Sequence, residues 1–117
     1  MVLLVDFLRL RYNNIIKQGN NMLTVEKIKK IVAKVSKEYG VKNAYLFGSY
    51  ARGEAHKGSD IDIIIDKGEL QTYNLYCDMK FALEDKLGTK VDLLTMEGIK
   101  PRFFELIKGD RILLYGA

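Results

Sequence analysis

The chain has 117 residues, 48% hydrophobic and 29% charged, with a single proline; that is room for one domain with a real core and excludes a disordered chain. One cysteine, Cys77, and one histidine, His56, exclude an internal disulfide framework and a Cys/His zinc site, and they fit a reducing cytoplasm. The net charge of +4 and a pI of about 9.1 come from scattered lysines, which read first as a solvated surface and second as affinity for phosphate-bearing ligands or an acidic partner; charge alone does not argue for nucleic acid as a direct substrate.

Met1 to Tyr12 is apolar but carries Asp6, Arg9 and Arg11. It is too short and too charged to span a membrane, and it lacks the basic start and small-residue cleavage site of a signal peptide. Its pattern fits neither helix nor strand, and Met22 stands just before a well-formed helix start. The expectation is an N-terminal extension over 1–21, either an added segment or a mis-set start codon, and a single domain over 22–117. An ordinary N-terminal helix is the alternative.

Thr24 is a good N-cap, with Glu26 in the positive first turn and Leu23 and Ile28 at the staple positions. Val25, Ile28, Ile31, Val32, Val35 and Tyr39 follow helical spacing, and Gly40 supplies the stop. Ala44 to Phe47 predicts a buried strand that enters a tight turn at Gly48-Ser49. Tyr50 to Ser59 reads as a short helical turn followed by a loop. Asp60 to Asp66 alternates carboxylate and isoleucine before Ile63-Ile64-Ile65, a strand with one polar edge and a buried middle.

Gln71 to Leu87 predicts a second helix, with Leu75, Tyr76, Met79, Ala82, Leu83 and Leu87 as its apolar face and Gly88 as its end. Lys90 to Thr95 is a third strand, apolar around Asp92. Pro101 suits the first position of a short helix that stops at Gly109, and Arg111 to Tyr115 reads as a last, edge strand. This order argues for an α/β (α+β) domain, a mixed sheet with helices packed on one face.

The chemistry lies between Gly48 and Asp92. On a strand, residues two apart share a face, so Asp60 and Asp62 stand together. Ionising both costs several kcal/mol unless a cation intervenes. Asp92 is the lone acid of an apolar strand, where Asp is depleted. Hard carboxylate oxygens are what magnesium prefers, and two such ions can clamp the attacking and leaving oxygens of a phosphoryl transfer. Gly48 lets backbone approach a ligand closely, the Ser49 hydroxyl can bond a phosphate oxygen, and Arg52, one helical turn on, could reach a triphosphate or brace the loop. Glu54, His56 and Lys57 read as surface loop residues. Tyr73 and Tyr76 read as helix packing, and Cys77 as a small side chain with no redox task.

Gly48-Ser49 through Asp60-Ile61-Asp62 resembles the signature of the DNA polymerase beta-like nucleotidyltransferase superfamily. Tyr50-Ala51-Arg52-Gly53, Ser59, Lys90-Val91-Asp92-Leu93 and Ile112-Leu113-Leu114-Tyr115 resemble its minimal nucleotidyltransferase (MNT) branch, and the similarity spans roughly Leu23 to Tyr115. The resemblance implies that Asp60 and Asp62 bind two Mg2+ ions, that Asp92 ligates one and activates the attacking hydroxyl, and that Gly48 and Ser49 grip the triphosphate of ATP. It implies an antitoxin that transfers AMP from ATP to a tyrosine of a partner HEPN toxin. The chain is too short for a separate acceptor-binding domain, so the acceptor is shaped by a partner or is the partner. Two alternatives stay open: a small-molecule acceptor recognised by a separate subunit, and a non-catalytic module that masks a toxin. The sequence leaves homo-oligomerisation open.

Overall fold

The computed structural model describes residues 23–116, so the extension expected over 1–21 lies outside the described residues. The first helix, α1, spans Val25–Glu38, and Thr24 caps it by accepting the Lys27 N–H at 3.1 Å. Leu23 and Ile28 are both buried, as the staple requires. Strand β1 (Asn43–Phe47) runs into a one-turn helix, α2 (Gly48–Arg52), and a loop leads to β2 (Ile61–Asp66). Helix α3 (Tyr73–Leu87) starts at Thr72, whose hydroxyl accepts the Leu75 N–H, and ends at Gly88. Strand β3 (Val91–Thr95), a 3-10 turn (Met96–Gly98), helix α4 (Pro101–Ile107) and strand β4 (Ile112–Tyr115) complete the order.

The described residues form a four-stranded mixed sheet in the order β3-β2-β1-β4. β1 pairs antiparallel with both β2 and β4, and β2 pairs parallel with β3 across the α3 connection. β3 and β4 are therefore the outer strands.

Period-two alternation divides the sheet into two unlike faces. Ala44 and Leu46, Ile61, Ile63 and Ile65, Val91 and Leu93, and Leu114 turn to one face and are fully or almost fully buried. They share one core with Ile28, Val32 and Val35 of α1 and Met79, Leu83 and Leu87 of α3. Burying each of these large side chains stabilises the fold by about 1.5–3 kcal/mol. The two long helices thus pack on one face, as the sequence leads one to expect. Leu75, expected on the apolar face of α3, is exposed instead. It lies in the first turn of α3, before Met79 brings the helix down onto the core.

Tyr45, Phe47, Asp62, Ile64, Asp92 and Leu94 turn to the opposite face. The short α4 covers part of it: the Phe103 ring meets Phe47 edge-on, with centroids 6.1 Å apart. The Arg111 guanidinium lies over the rings of Tyr45 and Phe104, at 4.7 and 5.3 Å from their centroids. Among the described residues, Asp92 on the rest of this face is exposed and Asp62 half-buried.

Candidate active site

Asp62 and Asp92 are direct register partners on the parallel strands β2 and β3. Both turn away from the core, Asp62 half-buried and Asp92 exposed. Sequence reasoning placed both acids on strands, and the register brings them side by side.

Asp60 stands differently from the expectation. The ladder begins at Ile61, whose N–H donates to the Lys90 carbonyl at 3.0 Å, so Asp60 sits one residue before the strand and is exposed. The loop leading to it is closed on itself: the His56 N–H donates to Ser59 Oγ and the Ser59 N–H donates to the His56 carbonyl, each at 2.9 Å. The carboxylate still acts on its neighbour. Burial first, then Asp92, then Asp60 push the Asp62 carboxyl from its ordinary 3.8 up to about 6, while Arg52 pulls it down. Asp92 and Asp60 thus both act on the charge of Asp62. Among the described residues, no three His, Cys, Asp or Glu side chains already stand in a geometry that holds a metal ion.

Gly48 closes this site from the β1 side. Phe47 is the register partner of Asp62, so the first residue of α2 falls against that carboxylate. Gly48 has φ +73°, and a Cβ there would lie 2.2 Å from Asp62 Oδ2. Any other residue would be strained by the left-handed backbone and would also displace the carboxylate. Ser49 follows, partly buried, and no side chain caps the start of α2.

Arg52 is engaged beside the site. Its Nε donates to Glu54 Oε2 at 3.0 Å, and Nη1 lies 4.0 Å from Asp110 Oδ2. The guanidinium braces the loop after α2 and keeps its influence on Asp62. His56 is exposed, with Nδ1 2.9 Å from the Lys57 carbonyl, and has no place among the acids.

A cleft of about 460 Å³ lies between β3, the 3-10 turn and α4. Tyr76, Leu94, Thr95, Ile99, Lys100 and Phe103 line it. Burial, then Asp92, then Cys77 and Tyr73 raise the Tyr76 phenol above its ordinary value, so this ring borders the acidic site.

The polymerase beta nucleotidyltransferase domain, as a family pattern, matches residues 26–117. The chain belongs to this nucleotidyltransferase family. The protein adenylyltransferase MntA of Thermococcus cleftensis is 39% identical over 83 residues, covering 68% of this chain and 84% of that protein. A solved structure provisionally described as a minimal nucleotidyltransferase aligns with a TM-score of 0.69 at 30% identity, covering 79% of this chain and 97% of that one. A chain from the complex of tri-AMPylated Shewanella oneidensis HEPN toxin with MNT antitoxin shares the fold, with a TM-score of 0.61 at 20% identity over 77% of this chain and 71% of that one.

Two residues beside this candidate site have contacts that sequence reasoning does not supply. Tyr76, read as helix packing, does pack against the core, and it also lines the cleft and donates its hydroxyl to the Leu93 carbonyl. Glu84 is buried, and its carboxylate accepts the Val91 N–H at 3.0 Å. The available signals were a tyrosine whose polar tip needs a partner and an acid between Leu83 and Leu87 on a core-facing helix.

Proposed function

We propose that this chain transfers AMP from ATP to a tyrosine hydroxyl of a HEPN toxin and thereby acts as the antitoxin of the pair. The observation that carries the reading is the pairing of Asp62 with Asp92, with Gly48 able to approach Asp62 only because it lacks a Cβ. The adenylyltransferase relative and the HEPN–MNT complex supply the substrate class and the partner.

Gly48 and Ser49 hold the triphosphate, through backbone close to the ligand and a hydroxyl donor. Asp92 accepts the proton of the attacking hydroxyl as it bonds to the alpha-phosphorus. The bond to the bridging oxygen breaks, and pyrophosphate leaves. Arg52, held by Glu54 and Asp110, contributes positive charge beside the phosphates.

Asp60, Asp62 and Asp92 fit magnesium by their chemistry, as hard oxygen donors whose mutual repulsion already raises Asp62. Two Mg2+ ions held there would neutralise charge on the alpha-phosphate and the departing pyrophosphate. Cys77, a free and half-buried thiol, fits the reducing cytoplasm in which ATP is available.

The test is co-expression with a HEPN protein of the same organism and intact-mass analysis of that protein. The expected result is AMP on one or more tyrosines, dependent on magnesium and lost in Asp60→Asn/Asp62→Asn while the complex still forms. Neutralisation without AMP transfer would replace this reading with masking, and AMP on a small molecule alone would replace the acceptor.

A further inference from the structure

β3 is an outer strand, so half of its backbone groups face away from β2. The Lys90 carbonyl accepts the Ile61 N–H, which turns Lys90 and, two residues on, Asp92 toward β2. Val91 and Leu93, on either side of Asp92, turn their backbone groups outward. In most sheets such an edge meets solvent or another strand. Here one helix covers it. Glu84 of α3 accepts the Val91 N–H at 3.0 Å, and Tyr76, two turns earlier on α3, donates to the Leu93 carbonyl.

We infer that Tyr76 and Glu84 are positioning residues for Asp92, which clamp its strand on both sides and fix the carboxylate against Asp62. The inference rests on the proposed role of Asp92 in AMP transfer. Glu84 is buried beside this edge, with its carboxylate accepting from the strand residue that precedes Asp92. The position becomes intelligible if the geometry one residue away matters. Asp92 stands at an exposed strand end, where an unclamped edge would fray. A displacement of about 1 Å at a reacting group can cost about a hundredfold in rate.

The experiment measures AMP transfer to the HEPN partner under single-turnover conditions in full-length variants. Tyr76→Phe keeps the ring and its packing but loses the bond to Leu93; kcat should fall about fivefold or more, with KM for ATP unchanged. Glu84→Met should lower kcat at least about tenfold, and Glu84→Gln, whose amide oxygen still accepts the Val91 N–H, should restore most of it. Val35→Ala, a cavity in the core under α1, supplies the control: a lower Tm with kcat intact at a temperature where the protein is folded. Folded Tyr76→Phe with wild-type kcat overturns the inference and leaves the proposed function standing. A loss in Val35→Ala equal to that in Tyr76→Phe also overturns it. A wild type that transfers no AMP overturns both.

Discussion

Replacing Asp62 with asparagine should make the protein more stable while it destroys activity. The carboxyl is half-buried and faces Asp92 and Asp60, and these influences raise it from 3.8 to about 6. The sign follows from linkage. Below about pH 3.8 the group is protonated in both folded and unfolded chains, and the substitution changes little. Between that value and about 6 the folded state holds the extra proton, so stability falls as pH rises; above 6 the cost is fully present. The displacement corresponds to about 3 kcal/mol between protonation states. Solvent reaches the carboxyl and screens it, so about 1–1.5 kcal/mol is the realistic gain for Asp62→Asn at pH 8. For a domain of this size that raises Tm by roughly 4–6 °C. The assay is thermal unfolding in EDTA from pH 4.5 to 8, repeated with magnesium. The gap between variant and wild type should widen with pH, and magnesium should stabilise the wild type far more than Asp62→Asn. A variant no more stable than the wild type at pH 8, with a gap that does not move with pH, would refute the electrostatic reasoning.

Gly48→Ala should cost about 2 kcal/mol or more in urea unfolding, because the left-handed backbone and the contact with Asp62 Oδ2 act together, and AMP transfer should be lost; a cost below about 0.5 kcal/mol would contradict the geometry. Gly48→Ala/Asp62→Ala should recover part of that stability but no activity, as unfolding curves on the pair would reveal. Asp92→Asn should lower single-turnover AMP transfer by about a hundredfold or more without weakening the complex with the partner, measured by titration calorimetry. Thr24→Ala removes the α1 cap and should cost about 1 kcal/mol of stability with kcat unchanged, since Thr24 touches nothing in the site.

Much of this arrangement was legible because its determinants are local. The cap at Thr24, the periodicity through Val32 and Val35 and the stop at Gly88 fix the long helices, and the alternation around Asp62 fixes which residues face the core. Asp62 and Asp92 could be singled out as acids in strands that otherwise favour isoleucine, leucine and valine. What local pattern cannot supply is register. That Asp62 lies beside Asp92, while Asp60 stops short of the ladder, depends on which backbone groups of β2 and β3 meet. The same holds for Glu84 and Tyr76. Each lies on α3, at least seven residues from its backbone partner, and each is recognisable only once the helix is laid along the outer strand. Leu75 fails for the opposite reason: its spacing is right, but the core does not extend beneath the first turn of α3.

The sheet separates stability from chemistry by a shift of one residue. Ile61 and Ile63 are fully buried under the helices, and Asp62 between them faces the open side. Val91 and Leu93 enclose Asp92 in the same way. Each carboxylate is thus held by apolar neighbours that cannot leave the core without large cost, while the carboxylates oppose one another on the far face. Such an arrangement works against folding at the acids and for folding at the residues next to them, and it persists because burial of the isoleucines outweighs repulsion among the aspartates. Truncations on the helix-covered face should therefore lower Tm and leave kcat largely alone. Neutral replacements on the open face should do the reverse. Tyr76 and Glu84 cut across this division, because they belong to the core-packing helix and yet act on the backbone that presents Asp92.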